Sequence, residues 1–152
     1  MITDRTYEDV NRAKSIRSAK VQKGISLTEE EIAIMERGSA TVDTLNRIEN
    51  KQKELKTIFN SIGYWNTPIV NKEWTYNDIF KEADFKRIIE NDFVLKRAFF
   101  SYPYTPNKVS ALYHYNEFNS LEKILADLET MLRYVQENFK ECDTFNCGEE
   151  NA

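Results

Sequence analysis

Phe118, Leu121, Leu125, Leu128, Leu132, Val135 and Phe139 follow one another at spacings of 3, 4, 3, 4, 3 and 4. Side chains spaced this way fall on one face of a helix and on no single face of a strand. Ile124 and Met131 widen the stripe, which suits the interior of a bundle better than a two-stranded seam. A second stripe, Leu45, Ile48, Gln52, Leu55, Phe59 and Ile62, repeats the spacing from about Thr41 until Gly63 closes it. No segment alternates with strand period. The expected fold is therefore all-α: a small bundle of four to five helices with these two as its spine, joined by ordered aromatic loops.

Local signals place the remaining helices. Thr6 and Asp9 are set to cap a first helix running to about Gln22, with Gly24 as its stop. Its apolar positions Tyr7, Val10, Ala13 and Ile16 are sparse, so residues 1–24 read as a peripheral helix that leans on something outside the chain, and residues 25–152 as the bundle domain. Thr28 with Glu31 forms a capping-box pattern, Leu27 and Ile32 occupy the staple positions, and Gly38 ends that short helix. A fourth helix, broken near Phe80, buries Phe85, Ile88, Ile89, Leu95 and Phe99. YWNTPIVNKEWT with Pro68, and SYPYTPNKVS with Pro103 and Pro106, read as loops, and TFNCGEE as a short extended tail.

Composition removes several classes of function. With 152 residues, 41% of them apolar, the chain can bury one real core. A net charge of -4 argues against a general nucleic-acid binder, because phosphate contacts need a concentrated basic field. No run approaches the roughly 20 apolar residues that span a bilayer, and MITDRTYEDV lacks the apolar core of a signal peptide. The expectation is a chain made in the cytosol without membrane insertion. Cys142 and Cys147 lie together in CDTFNC, but a zinc site needs about four ligands and His114 is distant in sequence. They read as reduced thiols, or as a bridge formed in an oxidising exterior. Neither metal nor cofactor is expected.

The chain writes one helix opening twice. Leu45, Asn46, Arg47, Ile48 and Glu49 stand over Phe118, Asn119, Ser120, Leu121 and Glu122 at an offset of 73. One reading gathers the two carboxylates for acid/base work or cation binding. The favoured reading is structural: each Asn bonds backbone of a neighbouring loop, and each Glu sits at the positive end of its helix dipole or pairs with Arg47 or Lys123. His114 could serve as a base but has no evident partner, and it reads as a partly buried neighbour of the last helix. Among the aromatics, Trp65, Tyr102 and Tyr104 could form a recognition surface for a sugar ring, with Trp74 in the same loop as Trp65. Packing over the bundle is the competing role, and the favoured one.

The order DRTYEDV, LTEEE, LNRIE, IGY, WTYND, FNSLEKIL and CDTFNCGE resembles a family of small helical proteins and domains encoded in the tail regions of phages and prophages of Gram-positive bacteria. The likeness covers nearly the whole chain. Leu45, Asn46, Arg47 and Glu49 match its first shared block, Trp74 and Asp78 the second, and Asn119, Glu122 and Gly148 the third. The cysteines of the final segment depart from members that carry Ser or Gly there. The resemblance implies a non-enzymatic part of a tail, baseplate, tail fibre or tail-like bacteriocin particle. Its partners would be other tail or fibre proteins within a multi-subunit assembly, and it would move from the bacterial cytoplasm into the virion. The alternatives are a module binding host-surface carbohydrate and a small regulatory protein that binds a host factor.

Overall fold

The computed structural model describes residues 1–63, 68–110 and 114–142, the side chains of the last four excepted. Five α-helices form it: α1 (Tyr7–Ala19), α2 (Glu29–Gly38), α3 (Val42–Ser61), α4 (Glu82–Ala98) and α5 (Tyr115–Cys142). Among the described residues there are no strands, and the all-α bundle expected from the two stripes is the fold observed.

The stripes of α3 and α5 form the core with one face of α4. Leu45, Ile48, Leu55 and Phe59 meet Ile88 and Leu95, and Phe118, Leu121, Ile124, Leu125, Leu128 and Leu132 close the third side. Full burial of a leucine-sized side chain contributes about 1.5–3 kcal/mol, so these three helices carry most of the apolar driving force. Phe139 and the TFNCGEE tail, with Cys147 and Gly148, lie outside the residues whose side chains are described.

The helix ends obey local chemistry. Thr6 and Asp9 make a full capping box at α1, and Thr28 with Glu31 makes another at α2. α1 stops at Ala19, earlier than expected; a 3-10 turn over Val21–Lys23 carries the chain to Gly24, whose φ of 69° is the left-handed stop. Ile32, at the staple position, is 44% exposed, and Leu27 is half-buried. α4 starts at Glu82, capped by Asp84 donated to from the Lys81 backbone N–H (3.0 Å). Phe80 precedes it rather than breaking it, because the aromatic ring turns inward to meet Trp74 (centroids 5.0 Å apart) and Phe85 (4.0 Å), both edge-on.

α1 and α2 pack chiefly on each other as a hairpin, and neither contributes to the shared core. They approach closely at Gly38, where an added Cβ would stand 2.0 Å from the Asp9 carbonyl oxygen and 2.5 Å from Ala13 Cβ. Only a residue without a side chain fits that crossing.

Candidate functional site

The repeated Asn and Glu build two clasps, each of which grips an extended segment that lies far away in sequence. On α3, half-buried Asn46 takes both backbone groups of Trp74: its Nδ2 donates to the Trp74 carbonyl (3.0 Å) and its Oδ1 accepts from the Trp74 N–H (2.8 Å). The side-chain amide thus replaces the neighbouring strand that an extended residue would otherwise need. One turn later, Glu49 is 1% exposed and receives four donors. Oε1 accepts from Trp74 Nε1 (2.7 Å) and Arg87 Nη2 (2.6 Å), and Oε2 from the Lys72 N–H (2.6 Å) and Arg87 Nη1 (2.8 Å).

On α5 the grip is repeated around Arg5. Asn119 Nδ2 donates to the Arg5 carbonyl (2.9 Å), and its Oδ1 accepts from the Arg5 N–H (3.0 Å). Glu122, fully buried, accepts from Arg5 Nη2 (2.5 Å), Arg47 Nη2 (3.0 Å) and the Ile2 N–H. The expected bonding of Asn to loop backbone is what the geometry displays. The expected ion pairs within each helix are not formed: Glu49 pairs with Arg87 of α4 instead of Arg47, Arg47 reaches across to Glu122, and Lys123 pairs with Asp127 (3.0 Å).

The gripped segments are themselves a repeat, which the 73-residue alignment misses because its offset is 69. Asp4-Arg5-Thr6-Tyr7-Glu8-Asp9-Val10 reads against Glu73-Trp74-Thr75-Tyr76-Asn77-Asp78-Ile79. Both copies fold the same turn. The Thr6 N–H and Oγ1 donate to Asp9 Oδ2 (2.8 and 2.9 Å), and the Thr75 N–H and Oγ1 donate to Asp78 Oδ2 (2.7 and 2.8 Å). A hydrogen bond from Lys72 together with the Thr75 backbone bond holds the Asp78 carboxyl at about 2, and the bond from the Thr6 backbone likewise lowers Asp9. The exchange is reciprocal: the spine helix of the first half grips the segment of the second half, and that of the second grips the first.

The segment over α3 has further ties. Asn91 of α4 donates to the Val70 carbonyl (2.8 Å) and accepts from its N–H (3.4 Å), and Asn71 Nδ2 donates to the Glu49 carbonyl (3.2 Å) and Gln52 Oε1 (3.0 Å). Gln52, which the stripe had placed in the core, is buried and polar, and donates to the Ile88 carbonyl and to Asp92 Oδ1 (2.7 Å). Asp92 Oδ2 is buried with no partner among the described residues. Burial pushes the Asp92 carboxyl well above its usual range, with the Gln52 bond opposing and the Glu122 charge adding to the rise.

These geometries bear on chemistry. A carboxylate offers about four lone-pair sites, and the four donors on Glu49 fill them, so neither a substrate proton nor a cation finds a free acceptor there. Among the described residues no three or more His, Cys, Asp or Glu are grouped to hold a metal, and no helix is long and apolar enough to cross a membrane. His114 is exposed, not partly buried as the sequence suggested; it contributes its backbone carbonyl to the first turn of α5, accepting from Glu117 (3.1 Å). Leu45 is in the core, and Trp74, 4% exposed, is removed from any recognition surface by its bond to Glu49. Tyr102 and Tyr104 stack in parallel with centroids 5.0 Å apart, and Lys123 Nζ lies 4.9 Å from the Tyr104 ring centre. Trp65 lies outside the described residues. Arg5, Arg87, Lys72, Asn91 and Asp92 are participants that the sequence reading did not single out.

Family models, curated proteins and solved structures yield no match to the chain.

Proposed function

We propose that the chain is a non-enzymatic structural component of a phage tail or tail-like particle, an adaptor associated with the baseplate or tail fibre. The observation that carries this reading is the use of both Asn/Glu sets to join distant segments, with Glu49 and Glu122 buried and ion-paired to arginine. Residues of that kind in a catalyst would face a cleft with acceptors open to a substrate. The outer surface adds support: Tyr76, Ile79 and Phe100 are each more than two-thirds exposed, as side chains destined for contact with neighbouring subunits are before assembly. The order of motifs, which resembles that of tail-region proteins, supports a particle of this kind.

Particles purified from a producing strain that carries a tagged copy test the proposal. Label at the tail tip or fibre by negative-stain microscopy supports it, and a label that stays in the soluble fraction while complete tails assemble removes it. A carbohydrate-binding role is favoured by one observation, the stacked pair Tyr102 and Tyr104 with its second ring 64% exposed. Planar faces of that kind suit the apolar side of a sugar ring. Glycan-array signal lost in Tyr104→Ala would establish that role.

A further inference from the structure

One row of side chains on α1 has no role in the shared core. Tyr7, Val10, Lys14 and Arg17 follow at spacings of 3, 4 and 3, so they lie on one face of the helix, and none of them joins the core cluster. Tyr7, Val10 and Lys14 line a cleft of about 470 Å³, with Tyr115 and Phe118 of α5 on its other side. Gly38, at the crossing of α1 and α2, lines it too. A smaller recess of about 150 Å³ shares Val10, Lys14 and Gly38 with this cleft and continues it to Arg17.

The two spaces have an apolar body and a basic end. Val10 and Phe118 supply aliphatic and aromatic wall, with the rings of Tyr7 and Tyr115 beside them. Apart from those tyrosines, the titratable side chains that line either space are all basic: Arg5, Lys14, Arg17 and His114. That is a local reversal of sign in a chain of net charge -4. Lys14 and Arg17 have no acid three or four positions away on α1, and neither has an ion pair among the described residues. Acids of the adjoining elements are committed elsewhere, Asp9 to Arg37 and Glu122 to both Arg5 and Arg47. Two like charges one turn apart repel each other, and an anion placed between them removes that cost.

We propose that this cleft binds a small amphipathic anion, an apolar or aromatic body that carries one carboxylate, sulfonate or phosphate. The body lies between Val10 and Phe118, and the charge is met by Lys14 and Arg17. A space of this size, walled on both sides, has the dimensions of a small-molecule site. A protein partner would need a broad face instead, about 800 Å² on each side. The bound anion would bridge the hairpin to α5. This goes beyond the assignment to a particle and does not rest on it.

The purified full-length chain tests the proposal with anilinonaphthalene sulfonate, a dye whose emission rises in apolar surroundings. Saturable one-to-one binding is expected, with decanoate displacing the dye. Lys14→Glu/Arg17→Glu should weaken binding about tenfold, the scale of two exposed charge contacts. Both side chains are exposed, so the variant should keep its melting temperature. Lys53→Glu/Lys81→Glu makes the same change of charge at residues that do not line the cleft, and should bind the dye as the unaltered chain does. Phenylnaphthylamine, which has the same rings without the sulfonate, should bind more weakly. In amide NMR the titration should shift Val10, Thr44 and Phe118. Dye that never saturates, that binds Lys14→Glu/Arg17→Glu undiminished, that is lost equally from Lys53→Glu/Lys81→Glu, or that binds no better than the uncharged rings overturns the proposal.

Discussion

The two clasps share an asparagine, a glutamate one turn later and a gripped residue before Thr-Tyr, yet they are closed differently. Over α3 the gripped residue is an indole donor, Trp74, packed edge-on against Phe80, and a single arginine binds Glu49 through both nitrogens. Over α5 the gripped residue is itself the cation: Arg5 binds Glu122 while its guanidinium lies 5.8 Å from the Phe118 ring centre, with Arg47 as a second arm. The first segment is also tied by hydrogen bonds to the bundle at Val70 and Asn71; the second is held in addition by Met1 packed on the core and by Arg37 of α2 donating to the Asp4 carbonyl (3.1 Å). One motif therefore joins α3 to the segment before α4 in one place and α5 to the segment before α1 in the other.

The largest expected effect breaks this comparison at the glutamates. Glu49→Ala should destabilise by about 3–5 kcal/mol in urea unfolding, because Arg87 loses its partner beside a segment that cannot relax. Glu122→Ala should cost less, about 1–3 kcal/mol, since residues 1–5 make fewer hydrogen bonds to the bundle than residues 70–74 and relax more readily to let Arg5 reach water. Equal losses would refute the distinction. Next come the asparagines: Asn46→Ala and Asn119→Ala should each cost about 1–3 kcal/mol, and exposed Asn50→Ala should change little. Full stability with failed assembly would make the motif an interface.

A smaller effect sharpens the comparison through Asp92. Its carboxyl is raised in the folded state, so its contribution is complete below the ordinary carboxylate range and declines as pH rises from there toward the raised value. Asp92→Asn should remove that slope and melt higher at neutral pH. Because Glu122 adds to the rise, Glu122→Gln should bring the Asp92 titration down in carboxyl NMR, whereas Glu49→Gln should leave it in place. The smallest effect lies at the two turns. Asp78 is lowered to about 2, so its contribution persists above the ordinary value of 3.8 and is lost as pH falls through about 2. Lys72→Met should move the Asp78 titration upward and spare that of Asp9.

The spine helices were legible because a 3.6-residue period leaves a trace in every turn, and the caps of α1 and α2 because Thr and an acid three residues on have one favourable geometry. The role of Asn46 and Asn119 was legible from their repetition. What they hold was less so, since Arg5 and Trp74 differ in kind and their shared Thr-Tyr-x-Asp turn runs at another offset. Asp92 left a trace that the listing of apolar positions passes over: it fills the gap between Ile88 and Leu95 in the 3-4-3-4 stripe of Phe85, Ile88, Leu95 and Phe99, as Gln52 does on α3. The exposure of His114 depends on how α5 docks, which no neighbour in sequence encodes.

The asparagine grip has a consequence in time. The amide hydrogens of Arg5 and Trp74 belong to segments outside any helix, where exchange with water is ordinarily rapid, yet each is bound to a side-chain oxygen. Each proton leaves only when its own grip opens. Two residues in otherwise irregular chain thus act as separate clocks, each timing the opening of its own clasp in amide exchange.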